Sequence, residues 1–159
     1  MKIRTGIGYD VHKLAENRTL TIGGIVIPHE KGSLGHSDGD VLIHAICDAL
    51  LGAANLRDIG FHFPDTSAEY KGIDSKILLK KVVKLIRKKG FEISNIDSTI
   101  VLQKPKVKDF IPQMKEILAE TLHIPVNDIS IKATTTENLG FAGREEGIAA
   151  YASVLIYLQ

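Results

Sequence analysis

Apolar and polar residues follow two periods along this chain, and the points where one gives way to the other outline its elements. Between 41 and 53, Val41, Leu42, Ala45, Ile46, Ala49, Leu50 and Ala53 recur at three- and four-residue spacing, the stripe of a buried helix. A second helix is expected over 75–89. It turns Ile77, Leu78, Val82, Leu85 and Ile86 inward, leaves its lysines and Arg87 on a solvated face and stops at Gly90. A third, over 109–122, faces Phe110, Met114, Ile117 and Leu118 inward and has Pro112 in its first turn, where proline is tolerated.

Strands are expected at 2–9, where Gly6 and Gly8 interrupt, and at 19–22 and 25–28 around a Gly23-Gly24 hairpin turn. Further strands are expected at 96–102, at 129–134 and along the apolar run 147–158. Residues 30–34, 55–66 and 135–147 read as loops. The order βββ-α-α-β-α-β-β predicts an α+β fold, a mixed β-sheet with helices packed on one face. A chain of 159 residues is long enough for a real core and reads as a single domain, 1–159.

Charge and cysteine content narrow the partners. A net charge of +1 gives no electrostatic reason to expect nucleic acid or an acidic membrane surface. One cysteine makes no internal disulfide, residues 1–6 lack the apolar core of a signal peptide, and no run reaches membrane-spanning length. A cytoplasmic protein is expected. Neither a P-loop, a dinucleotide fingerprint nor a Gly-x-Ser-x-Gly elbow is present, and Cys47 has no activating context.

The candidate chemistry gathers around 35–52. Asp38, Gly39 and Asp40 form a turn, a side-chain oxygen of Ser37, Asp38 or Asp40 can cap the helix, and His44 follows Asp40 by one turn. Asp10 and His12, two apart in an extended segment, can face one site. With His44 they make two imidazoles and a carboxylate, a catalytic-type zinc set with one position open; the alternative is a core histidine satisfied by a single hydrogen bond. Cys47, one turn after His44, either closes a structural site or is a small buried hydrophobe. Thr134, Thr135, Thr136 and Glu137 suit phosphate oxygens and a hard cation, although a threonine run is also ordinary strand composition.

Five segments taken together, 8–12, 36–40, 58–60, 63–66 and 132–137 with Gly140-Phe141, resemble the 2-C-methyl-D-erythritol 2,4-cyclodiphosphate synthase family, in order and with its spacing. The resemblance implies a lyase that cyclises 4-diphosphocytidyl-2-C-methyl-D-erythritol 2-phosphate and releases CMP. It implies one zinc per subunit on Asp10, His12 and His44, and Mg2+ or Mn2+ held with the substrate diphosphate by Glu137. It makes His36 and Thr135 the catalytic pair, brings Ser37 to the 2-phosphate, and gives the methylerythritol hydroxyls to Asp58. Ile59, Gly60, Phe63, Pro64, Asp65, Thr66 and Ser67 line that pocket. Leu102, Gln103, Lys104, Pro105, Lys106, Val107 and Lys108, where the likeness is looser, surround the cytidine side with Thr134, and Thr136 is a further substrate-binding residue.

The same resemblance implies a homotrimer with active sites between subunits and a central cavity holding an isoprenoid diphosphate near Phe141 and Arg144. Arg144 could instead pair with Glu145 or Glu146. Asp40 and Asp48 either orient the ligand histidines or serve as helix-start and surface acids. The rival readings are a metal-dependent phosphodiesterase using zinc-bound hydroxide, and a non-enzymatic trimer whose zinc is closed by Cys47.

Overall fold

Strand β1 (Ile3–Glu16) is the longest element on the sheet, and it alternates cleanly: odd residues are exposed on one face, even residues turn toward the helices. A computed structural model describes residues 2–159. It shows a five-stranded mixed sheet in the order β4-β1-β7-β5-β6, with a separate hairpin of β2 (Leu20–Ile22) and β3 (Ile25–Ile27). In the sheet, β4 is Lys31–Ser33, β5 Phe91–Val101, β6 Ile129–Thr134 and β7 Gly147–Leu158. Only β5 and β6 run parallel. The helices are α1 (Val41–Ala53), α2 (Ile59–His62), α3 (Ser75–Lys88), α4 (Ile111–Leu122) and α5 (Gly140–Gly143). Helix α1 lies on β1 and β7, α3 packs on α1, and α4 packs on α3 and β6, which completes the one-sided layer. Among the described residues no helix is long and apolar enough to cross a membrane.

Several expectations are corrected. The first strand does not end at residue 9. It continues through Asp10 and His12 because eleven residues, Ile3 to Lys13, pair without a break with β7. Gly6 and Gly8 do not interrupt it. They lie under α1, where a Cβ on Gly6 would strike the Ala49 carbonyl oxygen and one on Gly8 the Ala45 carbonyl oxygen. Residues 30–34 contribute β4, since Lys31, Gly32 and Ser33 pair with the far end of β1. The strand expected at 96 starts at Phe91 and passes an irregularity at Ile93–Asn95. On α3, Ile77 is exposed and Leu79 and Val83 take buried places, because the stripe facing α1 runs through 75, 78, 79, 82, 83 and 86.

Asp40, fully buried, fixes the start of α1. Its Oδ1 accepts the amides of Ile43 and Gly23, both at 3.0 Å, and its Oδ2 accepts that of Gly24 at 2.7 Å. The cap thus clamps the β2–β3 turn onto the helix. Burial pushes this carboxyl up to about 6, against the downward pull of the three amides.

Among the described residues the sheet's other face carries none of the long helices; only the short α5 borders it, lining a cavity with Tyr9 and Tyr151. Ile3, Ile7, Tyr9, Val11 and Tyr151 are exposed on this face, with the Tyr9 and Tyr151 rings 4.9 Å apart.

Two outcomes follow for stability. Gly8→Ala, a change that would favour an ordinary strand by about 0.5–1 kcal/mol, should instead lower the unfolding free energy by about 1–3 kcal/mol in urea titration, because α1 must move off β1. Between the ordinary carboxyl value of 3.8 and about 6, folded Asp40 keeps a proton that the unfolded chain has lost. Its contribution therefore declines as pH rises through that window and is constant above it, and the slope should vanish in Asp40→Asn.

Candidate active site

The close contact of α1 with β1 brings His44, the fourth residue of the helix, against the two strand side chains Asp10 and His12. Asp10 Oδ2 is 2.8 Å from His12 Nε2 and 3.0 Å from His44 Nδ1, and the two ring nitrogens are 3.0 Å apart. The hydrogen bonds behind the rings decide what these atoms are. His12 Nδ1 faces the Leu34 carbonyl at 2.9 Å and must donate to it, which leaves Nε2 with a lone pair in the neutral ring. His44 Nε2 faces Ser75 Oγ at 2.8 Å and Ser37 Oγ at 3.0 Å. Ser75 already donates its hydroxyl hydrogen to Asp38, so His44 donates to Ser75 and its Nδ1 also carries a lone pair.

Three electron-pair donors about 3 Å apart repel unless a positive charge sits among them. Two imidazoles and one carboxylate with a coordination place to spare suit a borderline transition-metal ion, so the residues fit the metal site expected of them. Without a metal, protons on the rings can supply that charge. Burial pushes Asp10 up, but His12 and His44 outweigh it and hold the carboxyl at about 2. Burial pushes His12 down, yet Asp10, together with the Leu34 carbonyl and Asp40, outweighs it, so its pKa is raised. The site collects positive charge.

Beside the triad lies a cavity of about 310 Å³ lined by His12, His36, Ser37, His44, Ile59, Gly60, Phe63 and Asp65, together with Tyr70 and Leu78, which sequence reasoning missed. His36 donates from Nε2 to the Ser67 carbonyl at 2.9 Å when that nitrogen is protonated. Asp58 caps α2 through Oδ1 to the Phe61 amide, and Pro64 and Thr66 are exposed on the following loop. A second cavity, of about 140 Å³, is lined by Leu102, Gln103, Pro105, Lys106, Val107, Lys108, Ala133, Thr134 and Thr135. Leu102 and Val107 are core residues at its floor, while Lys104, Thr136 and Glu137 lie off its wall. The two cavities share no residue, so one chain does not join the metal side to the 102–108 side.

Two open alternatives close. Neither the Asp40 nor the Asp48 carboxylate is hydrogen-bonded to a ligand ring: that of Asp40 caps the helix, and that of Asp48 accepts the Ile59 amide at 2.8 Å, tying α1 to α2. Cys47 is fully buried, its thiol pushed up by burial, and its sulfur is not among the converging ligand atoms. Arg144 pairs with Glu146 at 2.9 Å in an exposed position. Ser75 had no signal in the sequence, and Asp38 stood out only as a turn former and candidate cap, because their joint role depends on a contact 37 residues apart.

A model of the YgbB family matches residues 3–157. The chain belongs to the YgbB family. Among YgbB relatives, the 2-C-methyl-D-erythritol 2,4-cyclodiphosphate synthase of Bacteroides fragilis is 67% identical over 156 residues, 98% of each chain. A solved structure of IspF of Plasmodium falciparum in complex with CDP aligns over 99% of this chain and 97% of its own, with 36% identity and a TM-score of 0.86. The bifunctional IspDF of Campylobacter jejuni aligns over 99% of this chain with 47% identity and a TM-score of 0.96, and this match spans 43% of the bifunctional chain.

Equilibrium dialysis should show stoichiometric binding of a divalent transition metal that His44→Ala abolishes and Cys47→Ala leaves intact. Because the metal must displace the proton that Asp10 stabilises on His12, affinity should weaken as pH falls below the raised His12 value.

Proposed function

We propose that this chain, as one domain over 1–159, converts 4-diphosphocytidyl-2-C-methyl-D-erythritol 2-phosphate to 2-C-methyl-D-erythritol 2,4-cyclodiphosphate and CMP in the cytoplasm. The observation that carries this reading is the convergence of Asp10, His12 and His44 beside a cavity that also presents His36 and Ser37. The synthase names of its relatives and the CDP complex of one neighbour support it.

An oxygen of the substrate's 2-phosphate forms a bond to the β-phosphorus. The bond from that phosphorus to the oxygen bridging the α-phosphorus breaks, and CMP leaves with the electron pair. Since the substrate brings its own nucleophile, the protein has to fold the substrate on itself and offset its charge. Zinc on Asp10, His12 and His44, with Mg2+ or Mn2+ at Glu137, would supply Lewis acidity and charge neutralisation when bound.

His36, its Nε2 engaged by the Ser67 carbonyl, has Nδ1 left to donate to a phosphate oxygen once protonated. Thr135 Oγ1 accepts the Glu137 amide at 3.3 Å and keeps its hydroxyl hydrogen for the same purpose. Ser37 would meet the 2-phosphate, and the second oxygen of Asp58, free of the cap, the methylerythritol hydroxyls. The cavity of 102–108 with Thr134 would take the cytidine.

A homotrimer with sites shared between subunits accounts for two features of the single chain. It would join the two separate cavities, and it would cover the apolar sheet face. Phe141 and Arg144 would then border a central cavity suited to an isoprenoid diphosphate, for which Arg144 must leave Glu146.

Incubation with the cytidylyl substrate in 18O-labelled water, followed by phosphorus NMR and mass spectrometry, should give CMP and an unlabelled cyclic diphosphate. A linear product carrying solvent oxygen would replace this reading with a phosphodiesterase. Sedimentation should show a trimer.

A further inference from the structure

We propose that Asp38 and Ser75 are positioning residues, which set the tautomer of His44 and thereby aim its Nδ1 lone pair at Asp10 and His12. The inference rests on the reading of Asp10, His12 and His44 as a metal site. It concerns two residues that touch neither the converging ligand atoms nor the cavity beside them.

The bonds of Asp38 and Ser75 fix the hydrogens on that side of the ring. Asp38 grips Ser75 with both carboxylate oxygens: Oδ1 accepts the hydroxyl at 2.5 Å and Oδ2 the backbone amide at 3.0 Å. A carboxylate only accepts, so the hydroxyl hydrogen of Ser75 is committed to Asp38 and its oxygen can only accept from His44 Nε2, 2.8 Å away. Ser75 is fully buried, which leaves no water to take over that acceptor. The grip is itself anchored, since Asp38 Oδ1 also accepts the Asp40 amide at 3.1 Å and the Asp38 amide donates to the Ile73 carbonyl at 3.1 Å.

The opposite side of the ring makes this necessary. Asp10 Oδ2, 3.0 Å from His44 Nδ1, is a strong acceptor that would draw the single hydrogen of a neutral imidazole onto Nδ1. A hydrogen there would block the ligand atom. Ser75, polarised by Asp38, holds the hydrogen on Nε2 instead, whereas His12 obtains the same result from the Leu34 carbonyl. Ser37 Oγ, 3.0 Å from His44 Nε2, has no carboxylate behind it to commit its hydrogen, so it accepts from or donates to that nitrogen and does not set the tautomer.

Two readouts test this, neither depending on turnover. Long-range 1H–15N NMR of the metal-free protein in mildly alkaline solution should show His44 protonated at Nε2 and bare at Nδ1. In Ser75→Ala and Asp38→Asn, the Nδ1-protonated form should gain population, and Zn2+ affinity in chelator competition should fall by about 10–100-fold. A wild-type His44 protonated at Nδ1 overturns the proposal, as do variants with an unchanged tautomer or with Zn2+ affinity within about twofold of wild type. Wild-type protein that fails to bind Zn2+ would refute the metal site instead, and the wild-type tautomer, which needs neither a variant nor the metal, would still decide the positioning role.

Discussion

The structure depends on how closely helix α1 approaches strand β1. Two glycines on the strand and the small residues of the helix, Ala45 and Ala49, let backbone meet backbone where any Cβ on Gly6 or Gly8 would collide with a helix carbonyl. That approach buries the helix almost all round and seals the core between α1 and the sheet. It also sets the distance from a helical histidine to a strand carboxylate. A separation larger by one methyl layer would part His44 from Asp10 and His12, which pair with each other on the strand.

Once the backbones are that close, the donors' orientation comes from hydrogen bonds behind them. Leu34 and Ser75 hold the two rings so that lone pairs, not hydrogens, point inward. The result is a small negative focus at the end of an otherwise apolar layer. The raised His12 is one expression of it. Asp40 does a different task nearby: its carboxylate gathers amides from the β2–β3 turn and the helix start, so the loop carrying His36, Ser37 and Asp38 departs from a clamped point.

A one-sided layer leaves the odd residues of β1 and their partners on β7 without cover. The same topology places the ends of β5 and β6, with the 102–108 cavity, away from the metal side of β1, because β7 lies between them. The proposed trimer would give both facts one explanation: the apolar face would be an interface, and the reaction would draw on parts of two chains.

Periodicity alone was enough to place α1, the register-independent strands 129–134 and 147–158, and the inward side of α4, since each buries one face of an otherwise soluble segment. It also paired Asp10 with His12, because alternation in a strand leaves no other choice. The glycines misled it. In one dimension Gly6 and Gly8 look like interruptions, and only a helix lying across them shows that they permit contact. Ser75 was invisible for a related reason, as its meaning lies in Asp38 and His44, far away along the chain. Local chemistry, then, determined which elements form and which residue types are at hand. Tertiary structure decided which of those residues share a site and which nitrogen each histidine offers, because distance and hydrogen-bond direction exist only after the elements pack.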